Sequence, residues 1–346
     1  MNKIFLPKVM TMGFSDNPSD VKIFKITDKT LEIAKNYILN DGLVAFPTET
    51  VYGLGANALS SQAIKNCYAA KGRPQDNPLI VHVHKDYDIS TLVYDDKAYV
   101  KKLRDAFLPG PLTLVYKSRD KVSDLVSGGL DTLAIRVPKS EGAQRFLKYL
   151  DIPIAAPSAN VSKHTSPVTA DHVYGDFGDT ISMILDGGRC EGGIESTVMD
   201  VTGDCPVILR KGLITAEMVK AVVGRCEYAQ SSSDLNKRSP GTKYRHYCPK
   251  TKTALFECAD FDGVKNLYKK SQNDGLKVLI MCREIDSVHF DGLNVYSLGS
   301  TGNEMASRLY FGLHVAEEYD LLIGLKFPIS DEVTLSVENR FLKAFG

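Results

Sequence analysis

The sequence has no surplus of charge, no paired cysteines and no long apolar run, and each absence removes a class of function. Its 42 basic residues balance 42 acidic ones. With zero net charge no global field draws the chain onto nucleic acid or an anionic membrane, so any anion site must come from local clustering. The seven cysteines, at 67, 190, 205, 226, 248, 258 and 282, are odd in number and form no CxxC pair. They read as reduced thiols used as small core residues in a cytoplasmic protein. Of the seven histidines only His82 and His84 stand close together. They read as two positions on one strand face, since a zinc site needs further ligands. No stretch is long enough to span a bilayer, and Pro7 and Lys8 interrupt the apolar start, which makes it a poor signal peptide. No internal repeat or low-complexity segment is evident. What remains is a composition of 43% hydrophobic and 24% charged residues over 346 positions, enough for two domains of ordinary size.

The chain is organised around 46–82, FPTETVYGLGANALSSQAIKNCYAAKGRPQDNPLIVH. It reads as a strand ending in a polar turn, a glycine-bearing loop, a helix, a basic turn and a second strand at 78–84. Ser60 or Ser61 caps the helix, and Ala63, Ile64, Cys67 and Ala70 form its apolar face. Lys71 falls in its last turn, and Gly72 and Pro74 stop it. Lys71, Arg73 and Asn77 then share one loop with backbone N–H groups, a set that suits a polyanion such as a nucleotide triphosphate. Taken alone, Lys-Gly-Arg-Pro marks a helix end and a turn.

On either side, strands and helices alternate. Expected strands are 21–26, 43–46, 112–117, 132–137, 152–156, 183–185, 198–201 and 206–209. Expected helices begin with one capped by Asp28, burying Leu31, Ala34 and Ile38 and ended by Gly42, then 95–107, 142–149, 168–177 and 215–223. Arg136 is conspicuous among Ala134, Ile135 and Val137. Either it is buried against an anion or it faces water from an edge strand. The loop Pro157-Ser158-Ala159-Asn160 follows a buried run, where ligand loops of α/β proteins lie. From 230 to 250 the sequence QSSSDLNKRSPGTKYRHYCPK is polar and basic with interleaved tyrosines, which suits a linker, a nucleic-acid contact or a lid over a nucleotide. Residues 251–346 alternate again, as a small three-layer α/β unit. Its loop at 298–302, before a long helix, reads more readily as an ordinary strand-to-helix turn than as a phosphate site.

In order, FPTETVYGLGANA, KGRPxDNPLIVH, PGPLTLV, AIRVP, APSAN, the DGG…GxESTV pair, LRKG and SPGTKYRHYCP resemble the motifs of the threonylcarbamoyl-AMP synthase (YrdC-type) family in its long, two-domain form. Leu108 stands where that family usually has Trp, Thr242 where it has Met, and Lys163-His164-Thr165 replaces a glycine-richer turn. The resemblance implies a twisted YrdC-like α/β sheet domain with a deep basic cleft (1–228), joined by a linker (229–250), whose basic–aromatic composition suits a lid, to a smaller Rossmann-like α/β domain (251–346). It implies condensation of L-threonine, bicarbonate or CO2, and ATP to threonylcarbamoyl-AMP and pyrophosphate, with Mg2+ carried on the ATP phosphates and no protein ligand to the metal. The product would supply a transferase complex that modifies adenosine 37 of tRNA, with contact to tRNA itself weak or transient and none to a membrane.

By the family pattern, Lys71, Arg73, Ser158 and Asn160 fall at catalytic positions. Thr50, His82, Arg136, Ala156 and Ser196 fall at threonine-binding positions. Arg73, Asn77, Thr132, Ser158, Ser166 and Arg210 fall at ATP-binding positions, and Tyr244, Arg245 and Tyr247 in the lid. Two other readings compete. An RNA-binding module without catalysis would use the concave basic face, but zero net charge opposes it. A carbamoyl-transfer enzyme of hydrogenase maturation shares a related domain, but its acylphosphatase-like segment and cysteine-pair zinc motifs are missing.

Overall fold

The computed structural model describes residues 22–230, 234–239 and 247–346. Among these residues the first part builds a twelve-stranded mixed sheet. At its middle Thr132–Arg136 runs parallel to Ile80–His82 on one side and antiparallel to Leu112–Ser118 on the other. Residues alternate across it as the period of two requires. Val81, Leu114, Leu133 and Ile135 face a large apolar cluster with Ala63, Ile64 and Cys67 of the helix Ser61–Lys71. Ile80, Val115, Ala134 and Val198 face a small cluster on the opposite side. At the far edge Val44, Phe46, Met183 and Leu185 pack against Leu31, Ala34 and Ile38 of Asp28–Leu39 and Phe146 and Leu147 of Glu141–Leu150.

Element ends move by a few residues from expectation, for local reasons. Thr27, not Asp28, caps the first helix, because its side chain and that of Thr30 form a reciprocal box. That helix ends at Leu39 with Asn40 rather than Gly42 as its cap. The larger correction concerns the expected glycine loop: Gly53–Asn57 is an interior strand, antiparallel to Val44–Phe46. The glycines are there because the Phe46 ring lies where side chains would go, so a Cβ on Gly53 would stand 3.2 Å from it. Two glycines hid the strand pattern while serving the packing of its neighbour.

The second part is a parallel four-stranded sheet in the order Lys252–Phe256, Leu321–Leu325, Val278–Cys282, Val295–Ser297. Phe261–Asn273 covers one face with Val264 and Tyr268 against Val278, Ile280 and Cys282. Gly302–Val315 and Glu332–Phe345 cover the other, and their apolar residues continue into the large cluster of the first part. The loop before Gly302–Val315 is a turn: the Glu304 carboxylate accepts from the Ser300 and Thr301 amides at 2.8 and 3.0 Å, so an acid already occupies those donors. No helix among the described residues is long and apolar enough to cross a membrane.

The two parts meet closely at Gly193, whose φ is 68° and whose missing side chain lets the backbone at Ala306 and Ser307 approach. Gly193→Ala combines a left-handed backbone with a clash against a helix, and we expect it to cost about 1–3 kcal/mol. Urea unfolding of the variant beside wild type measures this; an unchanged midpoint would refute the close approach.

Candidate active site

The strands that pair in the middle of the first sheet also align polar residues at their ends. In register, His82 lies beside Arg136, and Arg136 beside Thr113. Paired residues share a face, so the three form a row continuing the side of Ile80 and Ala134. The Thr113 hydroxyl meets the Ser196 hydroxyl at 2.8 Å, and Arg210 donates to the Ser196 carbonyl at 3.0 Å and to its hydroxyl at 3.2 Å. His82 and Arg136 of this row, with Ser196, line a cleft whose empty space is about 750 Å³ with the open solvent at its mouth included. Lys71, Arg73, His82, Arg136, Ala156, Ser158, Asn160, Ser166, Ser196, Arg210 and Tyr247 all line it.

Lys71, Arg73, Arg136 and Arg210 in the cleft are each held by oxygen atoms. Lys71 is almost fully buried and donates to the carbonyls of Ser158, at 2.5 Å, and Asn160. Burial, with Arg73 nearby, lowers its pKa to about 7. Arg73 donates to the Pro78 carbonyl at 3.1 Å and approaches that of Asn77 at 3.4 Å. Arg136 is paired with a protein carboxylate, Glu49, at 2.8 Å, and Glu49 also accepts from the Lys139 amide. The edge-strand alternative for Arg136 therefore fails: its strand is interior and the residue is 4% exposed. Its Nε, buried, has no hydrogen-bond partner among the described residues, and neither does Asn160 Oδ1. Buried polar atoms of this kind are rare and call for a ligand or water.

His82 is buried edge-on to Phe46, with Nδ1 3.1 Å from the Ile80 carbonyl. That contact requires the proton on Nδ1, which leaves Nε2 as an acceptor. Burial, reinforced by Arg136, lowers its pKa to about 3. His84 sits apart, paired with Asp151 at 2.9 Å.

Three expected residues stand outside the cleft lining. Thr50 lies behind it, with its hydroxyl 2.9 Å from that of Thr48, a lining residue. Asn77 is buried beside Arg73, and Thr132 is buried at the start of its strand. Tyr244 and Arg245 lie outside the described residues. Tyr247, with φ at 72°, stacks on Tyr310 at 5.3 Å.

The sequence reading missed Glu49 and Glu195. Glu195 accepts hydrogen bonds from Ser166, Tyr310 and Arg340. Burial alone would raise its pKa, but Arg340, Arg210 and these bonds outweigh that and bring it to about 2. One signal was available: Arg340 shares the apolar stripe of its helix with Val337, Phe341 and Ala344, where an arginine needs a partner.

Residues 36–212 match the family described as "Telomere recombination", and 214–346 match "Threonylcarbamoyl-AMP synthase, C-terminal domain". The threonylcarbamoyl-AMP synthase of Pyrococcus abyssi is 39% identical over 332 residues, covering 93% of this chain and 96% of the relative. The chain belongs to the threonylcarbamoyl-AMP synthase family. The Bacillus subtilis member is also 39% identical, over 92% of this chain and 94% of its own. The crystal structure of P. abyssi Sua5 complexed with L-threonine superposes with a TM-score of 0.83 at 37% identity, covering 93% and 96% of the two chains. E. coli YciO, at 20% identity and a TM-score of 0.50, shares the fold of the first part, covering 55% of this chain and 95% of its own. Family membership thus joins the cation-lined cleft and the second α/β unit in one architecture.

A polyanion entering the cleft will favour the charged form of Lys71 and raise its lowered pKa. At pH 8 binding should therefore take up a proton, up to about one per site. Calorimetric titration with tripolyphosphate in buffers of different ionisation enthalpy measures the uptake. It should vanish in Lys71→Met, and equal uptake in that variant would refute the assignment.

Proposed function

We propose that this chain catalyses formation of threonylcarbamoyl-AMP from L-threonine, bicarbonate or CO2, and ATP, releasing pyrophosphate. One observation carries the reading: a neutral imidazole acceptor and a guanidinium with a free Nε–H stand in register at His82 and Arg136, in the same cleft as Lys71, Arg73 and Arg210. An amino acid needs an acceptor for its amine and a donor for its carboxylate, and a triphosphate needs cations.

In this reading His82 Nε2 receives an N–H of threonine and Arg136 Nε donates to its carboxylate. The neutral amine adds to the carbon of CO2; the N–C bond forms as one C=O π pair moves onto oxygen, and the nitrogen releases its proton to solvent. A carbamate oxygen then attacks the α-phosphorus of ATP. The new P–O bond forms as the bond to the bridging oxygen breaks, and pyrophosphate leaves with that electron pair. Two anions must meet, so the chief requirement is fixed positive charge and donors rather than a strong base. Lys71, Arg73 and Arg210 supply that charge toward the phosphates, with Ser158, Asn160 and Ser166 as polar partners. Asn77 and Thr132 support the ATP side, and Thr50 the threonine side, from behind the lining.

Among the described residues no group of three His, Cys, Asp or Glu is arranged to hold a metal. The donors in the cleft suit phosphate oxygens, so Mg2+ enters as the counter-ion of ATP and neutralises part of its charge. Residues 1–228 carry the chemistry, and 251–346 form the second unit. Of the linker expected to act as a lid, residues 231–233 and 240–246 lie outside the described residues; Tyr247, which lines the cleft, shields the carbamate from water. The product passes to a threonylcarbamoyl transferase acting on adenosine 37 of tRNA in the cytoplasm.

Pyrophosphate and AMP-containing products, separated by chromatography, should appear only when L-threonine and bicarbonate are both present. Lys71→Ala and Arg73→Ala should abolish release. Arg136→Met should raise KM for L-threonine about 10- to 100-fold, the worth of a charge-assisted hydrogen bond. Turnover indifferent to threonine would sink the proposal.

A further inference from the structure

Glu195 has no role in the chemistry above, yet its carboxylate is the most heavily engaged in the cleft. It accepts from Ser166 Oγ at 2.7 Å, from Tyr310 OH at 3.0 and 2.9 Å and from Arg340 Nε at 2.8 Å. Two of these donors come from the second α/β unit, and Arg340 lies 145 residues away in sequence. The rest of the Arg340 fork is also used: Nη1 donates to the Ser336 carbonyl at 2.9 Å and Nη2 to the Lys211 carbonyl at 3.0 Å. One turn earlier on that helix, the Ser336 hydroxyl shares its proton between the Gly212 carbonyl at 3.1 Å and the Glu332 carbonyl of its own helix at 2.9 Å. The helix Glu332–Phe345 thus grips the two peptides that follow Arg210 and the carboxylate that precedes Ser196, to which Arg210 is bonded.

Stability alone does not account for this arrangement. Burying an Arg–Glu pair removes both ions from water, and an apolar pair of similar volume often holds a contact as well or better. What the ion pair adds is direction. Glu195 fixes the rotor of the Ser166 hydroxyl, and the two carbonyl grips fix the backbone from which Arg210 projects. We infer that Arg340, with Tyr310, is a positioning residue that sets Arg210 for the phosphates of the nucleotide and leaves Ser166 Oγ as a fixed acceptor beside it, so that the second unit completes the nucleotide side of the cleft. The threonine side, built on His82 and Arg136, has no such tie among the hydrogen bonds described. The inference rests on the reading of the cleft as an ATP and threonine site.

The test compares wild type with Tyr310→Phe, Arg340→Lys, Arg340→Met and the double variant Glu195→Gln/Arg340→Met in the full chain. KM for ATP and for L-threonine is read from pyrophosphate release, and ATP affinity without threonine from calorimetry. Arg340→Met should raise KM for ATP about tenfold or more and leave KM for threonine within about twofold. Tyr310→Phe and Arg340→Lys should give smaller rises of the same kind. The double variant, which leaves no unpaired buried carboxylate, should regain part of the ATP affinity. Equal rises in both KM values, or lower melting temperatures with ATP affinity unchanged, would overturn the inference. If Arg340→Met does not fold, wild-type ATP affinity in folded Tyr310→Phe and Arg340→Lys would overturn it as well. Failure of the parent reading looks different: wild type would release no pyrophosphate with threonine and bicarbonate, while calorimetry would still report the ATP arm.

Discussion

Several like charges are held out of water in one cleft, and the rest of the structure follows from that constraint. An ammonium and guanidinium groups cannot be buried together unless each is solvated by something fixed. Here the protein supplies oxygens in place of water. The Ser158 and Asn160 carbonyls hold Lys71, the Pro78 carbonyl holds Arg73, and the Ser196 carbonyl holds Arg210. Glu49 holds Arg136. These oxygens belong to loops and strand ends, and keeping them aimed at one space requires the wide mixed sheet behind them. The lowered pKa of Lys71 reflects the same tension, because burial strips its ammonium of water and the Arg73 guanidinium stands nearby.

Much of this could be read in the sequence where local chemistry determined it. Taken singly, Lys71 at a helix end followed by Gly72 reads as a turn, Arg136 in an apolar run reads equally as buried or as an edge-strand arginine, and the Ser-Ala-Asn loop is a weak signal. The family motifs then ordered them along the chain. Residues whose role depends on distant partners were illegible. Glu195 is one acid beside Ser196 until Arg340 and Tyr310 arrive from the other end of the fold. The Gly53–Asn57 strand was illegible for a different reason: its glycines answer to the Phe46 ring, a tertiary demand that erases the strand pattern.

The two α/β units are less separate than their sheets suggest. A continuous apolar cluster joins them, Gly193 admits the backbone of a helix from the second unit, and His314 meets the Ser166 carbonyl at 3.2 Å. His314 also stacks on His172 at 3.8 Å, and burial lowers the pKa of both rings, to about 4 for His314 and about 2 for His172. Both rings are therefore neutral at ordinary pH and pack as aromatic surfaces rather than repel as cations.

The use of main-chain carbonyls to hold the cations bears on how such a cleft can change over generations. A carbonyl is present whatever the side chain, so replacing Ser158, Pro78 or Asn160 by another residue that keeps the local backbone leaves the acceptor in place. Lys71 and Arg73 are thus buffered against drift in their neighbours, as is Arg210 in its bond to the Ser196 carbonyl. Arg136 and Arg340 are different, since each relies on a carboxylate that one base change can erase. The cleft is therefore tolerant where the backbone holds a charge and brittle at its two acids, Glu49 and Glu195.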